Sequence, residues 1–138
     1  MLMSTPQIPT PSSTSAIVLF AHGSRDPLWH QPMLKVAARI QHIAPQSLVR
    51  CAYLELTTPD LPTTVQELSA HGVTQVRIVP MFLGVGRHAR EDLPQLVAQL
   101  RADHPHLVLD LQAAVGEDER LVHLLADMAV GHTAGHAA

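Results

Sequence analysis

The sequence has one cysteine and few aromatic residues, and each shortage excludes a class of protein. Cys51 stands alone among 138 residues. The chain therefore cannot form an intrachain disulfide or supply a thiolate zinc site or an iron–sulfur cluster. Aromatic residues make up 3% of the chain, which leaves little surface for stacking nucleic-acid bases. The length fits one domain, whose core must be built from Leu, Val, Ile and Ala.

Strong charge of one sign and long apolar runs are also missing. The net charge is −3 with His neutral, and Lys35 is the one lysine beside eight arginines. No basic stripe points to nucleic acid and no polybasic run points to a membrane surface. No apolar run approaches the roughly 20 residues that span a bilayer, and no signal-peptide pattern opens the sequence. We therefore expect a cytoplasmic protein with no nucleic-acid or membrane partner.

Strand-like and helix-like segments alternate between two unpatterned ends. The pattern predicts a disordered leader over 1–15, one domain over 16–130 and a flexible tail over 131–138. Apolar runs predict strands near 16–21, 48–55, 75–81 and 107–113, and helical periodicity predicts helices near 31–43, 61–70, 92–102 and 117–130. Because the strands read as continuous apolar runs, the fold class is α/β with a parallel sheet covered on both faces.

Three single residues carry specific expectations about the fold. Pro94 is expected in the first turn of the third helix, where its missing N–H costs nothing. Pro80 is expected at the ragged end of the third strand. Cys51 is expected to pack as a small buried hydrophobe.

His22, Glu55 and His88 lie at or just past the ends of the first three predicted strands. In an open α/β sheet, ligands bind outside the carboxyl ends of the strands. Two imidazoles and one carboxylate there form a candidate divalent-metal site with coordination positions left open, as catalytic metal sites require. The ligand types do not name the metal.

Each of these residues also has a simpler interpretation. His22 could be a turn histidine bonded to backbone, Glu55 a salt-bridge partner of an arginine or a helix cap, and His88 a solvated loop residue. The Gly84-x-Gly86 loop supports a phosphate site only weakly, since it has neither a third glycine in register nor a Lys-Ser/Thr pair. The remaining histidines are expected on the solvated surface: His30, His42, His71, His104, His106, His123, His132 and His136.

Three stretches of the sequence then resemble one known family. FAHGSRDP at 20–27, AYLE at 52–55 and VPMFLGVGRHAREDLP at 79–94 are similar to the class II tetrapyrrole chelatases. The resemblance is nearest to the small single-domain sirohydrochlorin chelatases of the CbiX type, and it covers about residues 16–130. It implies a chelatase-like three-layer α/β/α fold with a four-stranded parallel sheet.

The resemblance also implies a function. The family's metal-binding histidine pair maps onto His22 and His88, and its acidic residue maps onto Glu55. The implied reaction inserts Co²⁺, Fe²⁺ or Ni²⁺ into sirohydrochlorin in cobalamin or siroheme-type biosynthesis, with the metal as substrate and no organic cofactor. A homodimer is implied because longer relatives carry two such units. The residues expected to bind the substrate's carboxylates and ring are Ser24, Arg25, Gly84, Gly86, Arg87 and Arg90.

Two rival functions remain open at this point. A non-catalytic metal or tetrapyrrole carrier would use the same residues without inserting metal. A phosphoryl enzyme using His22 beside Arg25 would bind phosphate at the strand ends and would need no metal.

Overall fold

The computed structural model describes residues 15–131, in which four strands alternate with four α-helices. The strands β1 to β4 span Ser15–Ala21, Leu48–Tyr53, Gln75–Pro80 and Val108–Leu111. The helices α1 to α4 span Gln31–Ile43, Leu61–Ala70, Arg87–Asp103 and Glu119–Val130. Short 3-10 turns at Pro27–His30 and Val115–Glu117 precede α1 and α4.

All strand pairs are parallel, and the sheet order is β2-β1-β3-β4. The register places Ala21 beside Tyr53 on one side of β1, and Phe20 beside Pro80 on the other. The carboxyl ends of β1, β2 and β3 therefore meet at one rim, which is where an open α/β sheet binds ligands.

The core has two parts, one on each face of the sheet. On one face, α2 and α3 bury Val65 and Val97 against Ile78 of β3. On the other face, α1 buries Met33 against Leu19 of β1. This confirms the predicted fold class, a parallel sheet between helical layers.

The predicted bounds of α1 and α2 match the structure because local signals fix them. Asp60 accepts a hydrogen bond from the amide of Thr63 at 2.9 Å and so caps α2, which satisfies one of the free amides of the first turn. Gly72 follows the helix with a φ of +82°, a conformation that glycine adopts readily.

The predicted start of α3 is wrong. The helix begins at Arg87 rather than near Asp92, so Pro94 lies in its interior instead of its first turn. Gly86 in an extended conformation precedes the helix, and the amide of Arg90 makes the first helical bond to the Gly86 carbonyl at 2.9 Å. Pro94 removes one helical hydrogen bond, but it lies on the exposed side of the helix.

Smaller differences concern other boundaries. β2 ends at Tyr53, so Glu55 lies two residues beyond the strand, and β4 is shorter than predicted. α4 starts at Glu119, because Asp118 caps it after the 3-10 turn. Cys51 is half-buried rather than buried.

The ends of the chain lie mostly outside the described residues. The predicted leader and tail contribute Ser15, the first residue of β1, and Gly131, which ends α4 with a φ of +88°. No helix within residues 15–131 combines the length and apolarity needed to cross a membrane.

Candidate functional site

The structure brings His22 and Glu55 into direct contact at the rim of the sheet. The distance from His22 Nε2 to Glu55 Oε2 is 2.7 Å, and both side chains are 54% exposed. His22 follows β1 and Glu55 follows β2, and these strands are neighbours. The site is therefore a solvent-accessible imidazole–carboxylate pair rather than a buried ion pair.

Backbone hydrogen bonds beyond the strands hold these two residues side by side. The Leu54 amide donates to the Ala21 carbonyl at 2.9 Å, and the Glu55 amide donates to the His22 carbonyl at 3.0 Å. The ladder thus continues past both strand ends, so neighbouring backbone positions, rather than flexible loops, carry the pair.

Gly23 permits this close approach. Its φ is +106°, and a Cβ built on it would lie 1.9 Å from the Glu55 carbonyl oxygen. Any side chain here would push the Glu55 backbone away. Leu56, next to Glu55, has a φ of +66°, which is unfavourable for a residue with a side chain.

A second set of contacts joins the same two loops through Thr57. Its hydroxyl donates to the Ser24 carbonyl at 2.6 Å and accepts from the Ser24 amide at 3.3 Å. His30 Nε2 also donates to the Ser24 carbonyl, at 2.8 Å. The His30 ring packs edge-on against Trp29 and Tyr53, with centroid distances of 5.1 Å to each.

Neither Thr57 nor the position of His30 was predicted from the sequence. His30 is half-buried and bonded to backbone instead of being a solvated surface residue. A signal for His30 was present, since it lies beside the only tryptophan of an aromatic-poor chain. Thr57 has no such signal, because its contact depends on the turn at Leu56.

His88 does not complete a three-ligand group. It lies exposed in the first turn of α3, not in a loop. In residues 15–131, no three His, Cys, Asp or Glu side chains are grouped so that they could hold a metal ion. The described residues therefore assemble two members of the predicted trio, His22 and Glu55.

The predicted substrate-binding residues are spread along the same rim. Arg87 and Arg90 lie in α3. Arg87 pairs with Glu91 at 3.5 Å, and Arg90 Nη1 donates to the Val85 carbonyl at 3.1 Å. Gly86 precedes α3, and a Cβ added at Gly84 or at Gly86 would meet no atom of the described residues within 4 Å.

An open cleft of about 950 Å³ lies beside the His22–Glu55 pair. Ser24, Arg25, His30, Tyr53, Glu55 and Asp60 are among the residues that line it. Its volume lies in the range of small-molecule sites, about 300–1,000 Å³. The cleft combines an apolar wall with charged groups of both signs, namely the Arg25 guanidinium and the carboxylates of Glu55 and Asp60.

The cleft wall also contains two groups with shifted pKa values. Burial, with a smaller contribution from Cys51, raises the pKa of Tyr53 to about 12, so the phenol stays neutral. Hydrogen bonds from Thr63 lower the pKa of Asp60, so it stays ionised. The wall therefore offers a neutral aromatic ring and a fixed negative charge, and the ionised Asp60 is committed to capping α2.

Comparisons with known proteins give matches along most of the described chain. The model of the CbiX family matches residues 16–130. The chain is 33% identical over 88 residues to a sirohydrochlorin cobaltochelatase from Methanococcus aeolicus, an alignment that covers 64% of this chain and 62% of that protein. The chain thus spans about three fifths of the length of this curated relative.

Two crystal structures share the fold. One, named a cobalamin (vitamin B12) biosynthesis CbiX protein from Marinobacter aquaeolei VT8, has a TM-score of 0.72 and 34% identity, covering 84% of this chain and 94% of that one. The other is the sirohydrochlorin chelatase SirB from Bacillus subtilis subspecies spizizenii in complex with cobalt. It has a TM-score of 0.69 and 25% identity, covering 86% of this chain and 51% of that one.

Proposed function

This chain belongs to the CbiX family, and from that premise we propose that it is a sirohydrochlorin metal chelatase, an enzyme of the lyase class. It inserts Co²⁺ into sirohydrochlorin, with Fe²⁺ and Ni²⁺ as the other candidate metals. The metal is a substrate, and the reaction needs no organic cofactor. The observation that carries the proposal is the exposed His22–Glu55 pair, 2.7 Å apart, beside an open cleft.

The pair suits transient metal binding. In the structure, His22 Nε2 donates a hydrogen bond to the Glu55 carboxylate. A metal ion must take the place of that hydrogen, because imidazole binds metal through an unprotonated nitrogen. The Glu55 carboxylate then binds the ion beside His22, and it can accept a proton from a pyrrole nitrogen once the macrocycle takes the ion. Two ligands from exposed side chains hold the ion weakly enough for the macrocycle to take it.

We propose that His88 acts on the same metal from α3. Its support is its place in the first turn of the helix that follows β3. The β3 strand pairs with β1, and the Met81 amide donates to the Phe20 carbonyl at 2.7 Å. His22 follows β1 and His88 follows β3, and these two strands are neighbours. Arg25, Arg87 and Arg90 are the proposed partners of the substrate's carboxylates, since planar guanidinium groups bind carboxylates well.

We also propose that the active form is a homodimer, and helix α4 supports this. None of its residues is buried. It contacts the rest of the described chain chiefly through the 3-10 turn before it. Its exposed apolar side chains are Val122, Leu124, Leu125, Met128 and Val130. An apolar helix face of this kind is normally covered.

The sheet has an uncovered region of its own. Strand alternation places Gln75, Arg77, Val108 and Asp110 on the face that α1 covers elsewhere, and all four are exposed. A second copy brings the same helix and the same sheet face, so one twofold contact can cover both reciprocally.

The area of such a contact reaches the minimum expected of a biological interface. α4 has 12 residues, so it is about 18 Å long and about 10 Å wide. Reciprocal docking of two such helices buries on the order of 1,000 Å² in total, near the lower bound of specific interfaces. We expect sedimentation to show a dimer that Leu125→Asp dissociates. The control, His123→Lys on the polar side of α4, should remain dimeric, and a monomeric parent protein would contradict the proposal.

The chelatase proposal is tested by following the visible spectrum of sirohydrochlorin under anaerobic conditions with Co²⁺, Fe²⁺ or Ni²⁺. We expect insertion with at least one metal, and a loss of at least about 10- to 100-fold in His22→Ala, since even residues that only orient a metal ligand contribute this much. His42→Ala is the control, because this exposed histidine lies in the last turn of α1. Tight binding of metal and macrocycle without turnover would contradict the proposal and favour a carrier.

A further inference from the structure

The segments that follow His22 and Glu55 are joined by a contact to which neither of these residues contributes. Thr57 reaches across from the Glu55 loop and bonds to both backbone groups of Ser24, as donor to the carbonyl and as acceptor from the amide. One hydroxyl thus makes a two-point link between the loops. Such a link resists both separation and sliding of the two backbones.

His30 contacts the same carbonyl, and its Nε2 lies 3.5 Å from the Thr57 hydroxyl. Because a carbonyl can only accept, His30 Nε2 donates to the Ser24 oxygen. Tyr53, which is buried, and Trp29 hold the ring edge-on. The Ser24 carbonyl therefore accepts two side-chain hydrogen bonds, one from Thr57 and one from His30.

The link opposes a strained turn. Leu56, between Glu55 and Thr57, has a φ of +66°, a conformation that side-chain-bearing residues leave when nothing holds them. A chain released at Thr57 would relax at Leu56 and would move the Glu55 backbone relative to His22. The strained backbone at Leu56 and the hydrogen bonds of Thr57 thus lie next to each other in the segment that follows Glu55.

We infer that Thr57 is a positioning residue, whose hydroxyl, backed by His30, fixes the spacing of His22 and Glu55 for metal binding. This inference rests on the proposed function, in which that pair handles the metal. Thr57 itself need not touch metal or macrocycle. It acts through Glu55, and this distinguishes it from a residue that only stabilises the fold.

The test measures Co²⁺ affinity in a double-mutant cycle on the full chain. Thr57→Val keeps the shape of the side chain but removes the hydroxyl, and Thr57→Ser restores the hydroxyl. We expect Thr57→Val to weaken Co²⁺ binding roughly 3- to 10-fold, the effect of one lost hydrogen bond, and Thr57→Ser to rescue it. In a Glu55→Gln background the same change should have an effect below about 2-fold. The control is Thr74→Val, because Thr74 directly precedes β3 and so lies at the opposite end of the strands from the site.

Amide hydrogen exchange without metal gives an independent measurement. Thr57→Val should speed exchange at the amides of Ser24 and Glu55, whereas Thr74→Val should not. Equal weakening of Co²⁺ binding with and without Glu55 would show a purely structural role, and unchanged exchange would show that no link exists; either result overturns the inference. If the parent chain binds no Co²⁺, the proposed function fails, and the exchange rates still decide whether Thr57 holds the loops together.

Discussion

Replacing Gly23 by alanine should disrupt both the fold and the site, and the cost follows from the structure. The added Cβ would lie 1.9 Å from the Glu55 carbonyl oxygen and 3.4 Å from Tyr53 Cβ, where 3.4–4 Å is ordinary contact. The two backbones must therefore separate by about 1.5 Å to bring the Cβ and the oxygen to 3.4 Å. That movement breaks the adjacent bond from the Glu55 amide to the His22 carbonyl.

Two contributions add to the cost. The φ of +106° at Gly23 places alanine in a left-handed conformation, which costs about 1–2 kcal/mol. Forcing an extra carbon into a packed contact costs about 1–3 kcal/mol more. The free energy of unfolding should thus fall by roughly 2–5 kcal/mol, a large part of the total for a domain with about 5–15 kcal/mol of stability.

Gly72→Ala separates the two contributions. Its φ is +82°, but a Cβ there meets no atom of the described residues within 4 Å, so it incurs the backbone cost alone, about 1–2 kcal/mol. Equilibrium denaturation in urea measures both variants. If Gly23→Ala is no more destabilising than Gly72→Ala, the backbones of Gly23 and Glu55 do not approach as closely as the structure indicates. We also expect Gly23→Ala, under conditions where it is folded, to bind Co²⁺ more weakly than Gly72→Ala does.

Two further predictions concern stability away from the site. The Arg50 guanidinium, with a smaller contribution from His71, lowers the pKa of Glu67, so the pair stabilises the fold above the ordinary pKa of a glutamate and loses that effect as the pH falls through the lowered value. Both side chains are substantially exposed, so Glu67→Gln should reduce the free energy of unfolding by at most about 1 kcal/mol at pH 7. Urea titrations measure this difference, which should disappear at pH 3. A difference from the parent that persists at pH 3 would contradict the prediction. Pro94→Ala should restore a hydrogen bond inside α3 and raise the midpoint of thermal unfolding, and an unchanged or lower midpoint in circular dichroism would show that the proline fits its helix without cost.

The sequence could predict the layered α/β fold because its signals are local. Apolar runs marked the strands, and Asp60 and Gly72 marked the ends of α2. Pro94 misled the prediction of α3, because proline is most common in a first turn. The helix extends beyond it on both sides because Pro94 faces solvent, which periodicity alone did not reveal.

The site was predictable only in part, for a physical reason. That His22 and Glu55 follow strands could be read from the sequence, but their contact depends on β1 and β2 being neighbours. Strand order is a property of the folded sheet. The Thr57 link depends in turn on the positive φ of Leu56, which no sequence pattern signals for a leucine. The position of His88 relative to the pair follows from the start of α3, which was mispredicted.

We propose that His22 and Glu55 bind the metal that is inserted. Anomalous diffraction at the cobalt edge, from crystals of the chain soaked in Co²⁺, tests this. We expect a peak about 2.0–2.2 Å from His22 Nε2 and from a Glu55 carboxylate oxygen, by analogy with zinc distances. A cobalt ion bound elsewhere, with the 2.7 Å contact between His22 and Glu55 intact, would contradict it.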